Sequence, residues 1–204
     1  MNDKQQELNQ LRVSYDELLA RRRLVDAPVA EGIRQDILSL EREISLANGE
    51  ESATLYEWPI PWSVYACLSL TYDGYRELRM TYCVDPSHLS KPHAENTPVR
   101  ATARFQDCRA LRVTNVNDEV YEAQPLYGKG LDLCRAHVVG NSRWLESLIS
   151  VHKHHRGYDS REWEGMLHFI LTFKDSTVEC LAKSVKTELE SPQGFEATPR
   201  TLRP

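Results

Sequence analysis

The sequence has no long apolar run: nowhere in its 204 residues do about 18 consecutive apolar positions occur, and the opening stretch MNDKQQELNQ lacks the hydrophobic segment of an export signal. Neither a membrane span nor a secretory leader is expected, and a cytoplasmic location is. Cysteine is sparse and shows no pairing pattern. Cys67, Cys83, Cys108, Cys134 and Cys180 are odd in number, scattered, and without a C-x-x-C spacing. That argues against a disulfide framework or a zinc-thiolate site and predicts reduced, mostly buried thiols. Surplus positive charge is also missing. With 25 Lys and Arg against 30 Asp and Glu, the net charge of -5 disfavours a chain that coats nucleic acid, because phosphate binding draws on excess cations. Nine glycines and ten prolines are too few for a low-complexity chain, and 41% apolar with 27% charged residues is the composition of a folded globular protein.

Catalytic signatures are absent too. Gly128-Lys129-Gly130 has closely spaced glycines but neither the G-x-x-x-x-G-K-[ST] nor the G-x-G-x-x-G frame, so it reads as a turn entering a strand. Ser87-His88 and Cys134 with His137 lack any nucleophile-elbow context. No cofactor motif is present, and no cofactor is expected.

What is present begins with helical periodicity. Leu8, Leu11, Tyr15 and Leu18 are spaced three, four, three, and Ala30, Ile33, Ile37, Leu40, Ile44 and Ala47 continue the pattern after Asp26-Ala27-Pro28, a helix restart. Asn48-Gly49 is the stop. Residues 1–50 are therefore expected to form an antiparallel helical hairpin whose narrow seam, Ile33, Ile37, Leu40 and Ile44, could pack on the rest of the chain, on a second copy as a coiled coil, or on another protein, and self-association through residues 3–48 as a homodimer is predicted.

From about residue 54 the period becomes two. A β-hairpin is predicted at 66–82 across Asp73-Gly74, strands at 99–113 with a break near Gln106-Asp107, another strand at 130–139, a helix from Ser142 to about His154, and a hairpin at 168–173 and 177–189. Residues 85–98 read as a loop and 191–204 as an irregular tail. Strands in succession with one late helix predict an α+β class with a mainly antiparallel sheet domain over 54–190.

The stretch Val151-His152-Lys153-His154-His155-Arg156-Gly157-Tyr158-Asp159 gathers three of the seven histidines. His152 and His155 stand at i, i+3, so with His168 and Asp159 or Glu179 they could ligate a metal, which would make the protein a metal-dependent hydrolase or nuclease. A helix end equally favours this composition, because its last carbonyls attract Lys, Arg and protonated His before a closing glycine. The helix-end reading is preferred, and no metal is expected. The aromatics carry two readings: Trp58 and Trp62 in YEWPIPWSVY are wedged between the helical and sheet modules or stand as exposed anchors of a binding face, and Trp144 and Trp163 flanking the histidines carry the same ambiguity; with Arg156 and Tyr158 they make residues 142–165 the expected binding surface.

The run His168 to Ala182, which reads H-F-x-x-T-F-x-D-S-T-x-E-C over its first thirteen positions, together with Leu126-Tyr127-Gly128-Lys129-Gly130-Leu131 and Ser142-Arg143-Trp144-Leu145, resembles a domain of uncharacterised bacterial proteins in which a second histidine often replaces Lys174. The resemblance covers about residues 60 to 189. It implies a bacterial or phage setting and no known activity. The leading expectation is a non-enzymatic protein-binding module, of the inhibitor or immunity type by analogy of size and acidity, with a hydrolase or nuclease and a small-ligand sensor, its pocket between sheet and late helix, as alternatives.

Overall fold

A computed structural model describes residues 2–21, 27–63, 68–74, 76–88, 98–116 and 118–190. The helical restart residue Asp26, the first half of the predicted hairpin strand at 66–67, most of the 85–98 loop and the 191–204 tail lie outside the described residues. The architecture is α+β: two N-terminal helices, two antiparallel sheets and one later helix. Among the described residues no helix is long and apolar enough to cross a membrane.

Helices α1 (Asn2–Arg21) and α2 (Ala27–Ala47) pair through Leu8 and Ile37, both buried, and through ion pairs from Lys4 to Glu43 at 2.7 Å and from Arg12 to Glu41 at 2.6 Å. Helix α2 ends as its sequence dictates. Gly49, at φ +68°, donates to Leu46 and the next residue, Glu50, reaches back to the Ser45 carbonyl, the paired bonds of a Schellman cap. The α2 seam is used within the chain: Ile37 is buried, and Ile33, Leu40 and Ile44 are half-buried.

The chain divides into two compact units, and neither is continuous. Unit 1 comprises residues 1–58 and 107–184, and unit 2 residues 59–106 and 185–204. This differs from the division at residues 50–54 that the change of period suggests, because α2 packs on the first strand and so belongs with one of the sheets.

Unit 1 holds a five-stranded sheet in the order β1-β6-β7-β8-β5, from β1 (Ser52–Leu55), β5 (Ala110–Thr114), β6 (Ala136–Gly140), β7 (Leu167–Thr172) and β8 (Thr177–Ala182). Directly opposed residues share a face, so the register builds two rows side by side: Leu55, His137, Ile170, Glu179 and Arg112, then Ala53, Val139, His168, Leu181 and Ala110. Segment 121–131 covers this face, with Leu126 and Leu131 packed on Ala53, Val139 and Ile170 and with Tyr121 against them. Each fully buried side chain of this kind contributes roughly 2 kcal/mol.

Unit 2 holds the sheet β2-β3-β4-β9, from β2 (Ser69–Tyr72), β3 (Glu77–Cys83), β4 (Arg100–Gln106) and β9 (Ser184–Leu189), the last strand beginning one residue before the unit does. On its buried face Met80 opposes Ala103 and Tyr82 opposes Ala101, large against small, while Leu78 opposes Phe105.

Several sequence expectations are corrected in detail. The β2–β3 connection is wider than a two-residue turn, because the Asp73 carboxylate accepts the Glu77 N–H at 3.0 Å and Arg76 takes φ +85°. Residues 130–135 are turn and irregular backbone, not strand, and β6 starts only at Ala136. The predicted strand 177–189 is two strands that leave Lys183 between them and enter different sheets. The break at Asp107, with φ +54°, falls where expected and likewise separates strands of different sheets. Cys83 is disulfide-bonded, with its partner outside the described residues, so the expectation of five reduced cysteines does not hold; Cys108, Cys134 and Cys180 are reduced thiols. Linear spacing could not reveal which strands bring thiols together.

Candidate functional site

Helix α3 (Arg143–His152) starts at Ser142, whose hydroxyl accepts the Leu145 N–H at 3.1 Å. The same hydroxyl lies 2.8 Å from Nδ1 of His168, and Nε2 of His168 lies 3.0 Å from Glu179. One tautomer satisfies all three groups: His168 donates through Nε2 to Glu179, and Ser142 donates to Nδ1. Arg112 completes the chain with two bonds to the Glu179 carboxylate and stacks its guanidinium 4.6 Å from the Trp144 ring, which itself meets His168 edge-on. Burial alone would raise the Glu179 pKa, but the bonds from His168 and Arg112 more than offset it and hold the group ionised. Serine, histidine and glutamate in series are the components of acyl-transfer chemistry. Here Ser142 is 6% exposed and already caps a helix, so the array acts as a clamp of α3 onto β5, β7 and β8.

Of the predicted metal ligands only His168 and Glu179 meet, in the clamp, and the others stand apart from them. His152 is exposed and rests against Trp163 with ring centroids 5.0 Å apart; His155 accepts the Gly157 N–H; Asp159 caps the 3-10 turn Ser160–Trp163 and pairs with Arg161; and His168 is in the clamp. Among the described residues no group of three or more His, Cys, Asp or Glu side chains is placed to hold a metal ion. The reason is topological: α3 runs out into a solvated turn at 153–157 while His168 turns inward under Trp144.

The expected anchors of the recognition surface are mostly spent inside the fold. Trp163 is buried under Arg109, Trp62 is buried edge-on to Tyr82, Trp58 is half-buried beside Tyr56, and Trp144 is half-buried in the clamp. Tyr158 is half-buried. His152, His154, His155 and Arg156 are exposed, with Val151 at 65% exposure beside them.

A site that sequence reasoning missed lies elsewhere in unit 1. Between α1, α2 and the 121–133 segment is a cavity of about 700 Å³, within the range of small-molecule sites. It is not between the sheet and the late helix, where a ligand pocket was expected. Its floor is built by Ile37 and Glu41 of α2 with Leu131 and Asp132, all buried. Glu41 is held by Arg12 and, at 3.4 Å, by the Gly130 N–H. Asp132 is held by Arg34 and by the Leu133 N–H at 2.8 Å, while Arg34 also forks onto Glu31. The wall carries Tyr15, Tyr121 and Tyr127; the last two meet edge-to-face at 5.5 Å, and Tyr121 donates to the Leu131 carbonyl. Asp16 and Glu122 stand exposed at the rim.

Gly130 makes this packing possible. It sits at φ +86°, and a Cβ there would stand 2.6 Å from the Ala53 carbonyl and 3.1 Å from that of Leu38. One signal in the sequence could have disclosed the floor: Glu41 follows Ile37 at i+4, and Ile37, Glu41 and Ser45 are all buried, so a carboxylate stands in the inward stripe of α2. No protein-family model matches the chain, and no curated protein or solved structure matches it either.

Proposed function

We propose that the protein is a non-catalytic binding protein for a small polar molecule, which it takes into the cavity between the helical hairpin and the 121–133 segment. The observation that carries this reading is the polar floor of that cavity: two buried carboxylates, each fixed by an arginine and by a backbone N–H, lie beside apolar and tyrosine surface. Fixed polar groups converging in an apolar recess are what orient a ligand and select it. Binding would join the hairpin to the sheet body, since α1 and α2 supply one wall and residues 121–133 the other, and this is the arrangement a sensor needs.

Ligand-observed NMR with a mixed library of small polar molecules tests it. Hits are expected on the intact protein and are expected to vanish in Leu38→Trp, whose larger side chain would occupy the cavity. A library without hits, or hits that survive in Leu38→Trp, would remove this reading.

A protein partner at the end of α3 is the second reading, supported by the open face of Val151, His154, His155 and Arg156. Such a partner would be the target of an inhibitor or immunity-type protein. Co-purification of one defined protein from the native cell, lost on Val151→Asp combined with His155→Ala, would favour it over the cavity.

A further inference from the structure

We infer that the ligand of the cavity is an organic cation, an alkylammonium or guanidinium compound. This rests on the small-ligand reading above and adds the ligand's charge. Four carboxylates line the cavity, Asp16, Glu41, Glu122 and Asp132, against two guanidiniums, Arg12 and Arg34. Both guanidiniums are already engaged by acids, Arg12 by Glu41 and Arg34 by Asp132 and Glu31, which leaves carboxylates in excess along the cavity. An incoming carboxylate or phosphate would meet this excess of like charge, and drawing either arginine away would leave a buried acid uncompensated. A cation is attracted by the same excess.

The tyrosines report the same field. Tyr121 is held protonated well above the usual phenol range, first by burial and then by Asp132 and Glu41, and the opposing pull of Arg34 does not reverse this. Tyr127 is shifted in the same direction by burial, Glu122 and Glu41. Burial would disfavour charge of either sign, and it is the contribution of Asp132, Glu41 and Glu122 that gives the field at these two positions its negative sign. The faces of Tyr15, Tyr121 and Tyr127 add the quadrupole attraction by which aromatic walls hold ammonium and guanidinium groups. The rim carboxylates Asp16 and Glu122 would draw such a ligand in, the buried pair would bind its charged head, and Ile37 and Leu131 would cover its methylene body.

Isothermal titration of the full chain tests this with agmatine, spermidine and tetramethylammonium as cationic probes, and glutarate and inorganic phosphate as anionic ones. At least one cation is expected to bind with one-site stoichiometry, more weakly as ionic strength rises, and neither anion is. Asp16→Asn combined with Glu122→Gln, which leaves the buried floor intact, is expected to raise the cation's Kd about tenfold. Glu164→Gln, an exposed acid outside the cavity, controls for general attraction to an acidic protein and is expected to leave the Kd unchanged. Binding of an anion, or of neutral library compounds with no cation, would overturn the charge assignment while sparing the cavity reading. Equal weakening by Glu164→Gln and the rim variant would also overturn it. Failure of every probe together with an empty NMR screen would remove both.

Discussion

The Nε2 atom of His137 accepts the backbone N–H of Asp132 at 3.1 Å, so a buried ring on β6 fixes the turn whose side chain forms part of the cavity floor. That bond requires the neutral ring. Burial is the main cause that lowers the His137 pKa, from 6.5 to about 4, with the charge of Arg135 adding to it.

The pH dependence follows. Between pH 6.5 and about 4 the unfolded chain binds a proton at this position that the folded chain refuses, so stability should fall as pH drops through that window and be fully present above it. The contribution is on the order of 3 kcal/mol. Urea unfolding at several pH values should show the loss, and His137→Gln, although less stable at neutral pH, should have a flatter profile across the same window. Parallel profiles for the two proteins would refute the assignment.

Glu179 titrates lower. Its folded pKa lies below the ordinary 4.5, so its contribution is complete above that value and disappears as pH falls through the lowered pKa. Glu179→Gln leaves Arg112 without its carboxylate and His168 with a weaker acceptor, and should cost about 2 kcal/mol. Because α3 loses its tie to the sheet, hydrogen exchange of α3 amides should accelerate more than that of β7 amides.

Gly130→Ala should lower stability by about 2 kcal/mol or more, since the backbone sits in a left-handed conformation and the new methyl meets the Ala53 carbonyl. For a chain of this size that is a drop in Tm of about 5 °C, readable by calorimetry. Gly49→Ala, at a similar φ but with open space around it, should cost less, and equal losses at the two positions would show that close packing at Gly130 adds nothing.

Ile37→Ala should cost about 2–4 kcal/mol, the range for truncating a buried aliphatic, and should leave the molar mass unchanged in light scattering. An oligomer that dissociates on this substitution would place the seam between copies instead.

His155→Ala should change stability by no more than about 0.5 kcal/mol, because the ring is exposed and accepts only the Gly157 N–H. Thermal melts of the two proteins should overlay.

The sequence by itself determined what depends on neighbours along the chain. The three, four spacing set α1 and α2, Asn48-Gly49 set the Schellman end, Ser142 set the start of α3, and the basic run before Gly157 set its solvated finish. Alternation set the α+β class and the break at Asp107. Which sheet each strand joins was decided only in three dimensions, because alternation reports that a strand has an inner face and says nothing of its hydrogen-bonding neighbour; hence β8 and β9 read as one strand and part company at Lys183. The sequence leaves each tryptophan open between burial and a partner-facing anchor, and the fold uses Trp62 and Trp163 as core, since a ring's type fixes its capacity for burial and not what buries it. The cavity is the extreme case. Arg12, Arg34, Glu41 and Asp132 are ordinary surface residues by type, separated by up to 98 positions in the Arg34–Asp132 pair. Only the packing of α1 on α2 and of α2 on β1, the latter allowed by the missing side chain at Gly130, brings these opposite charges into register and the two carboxylates out of water.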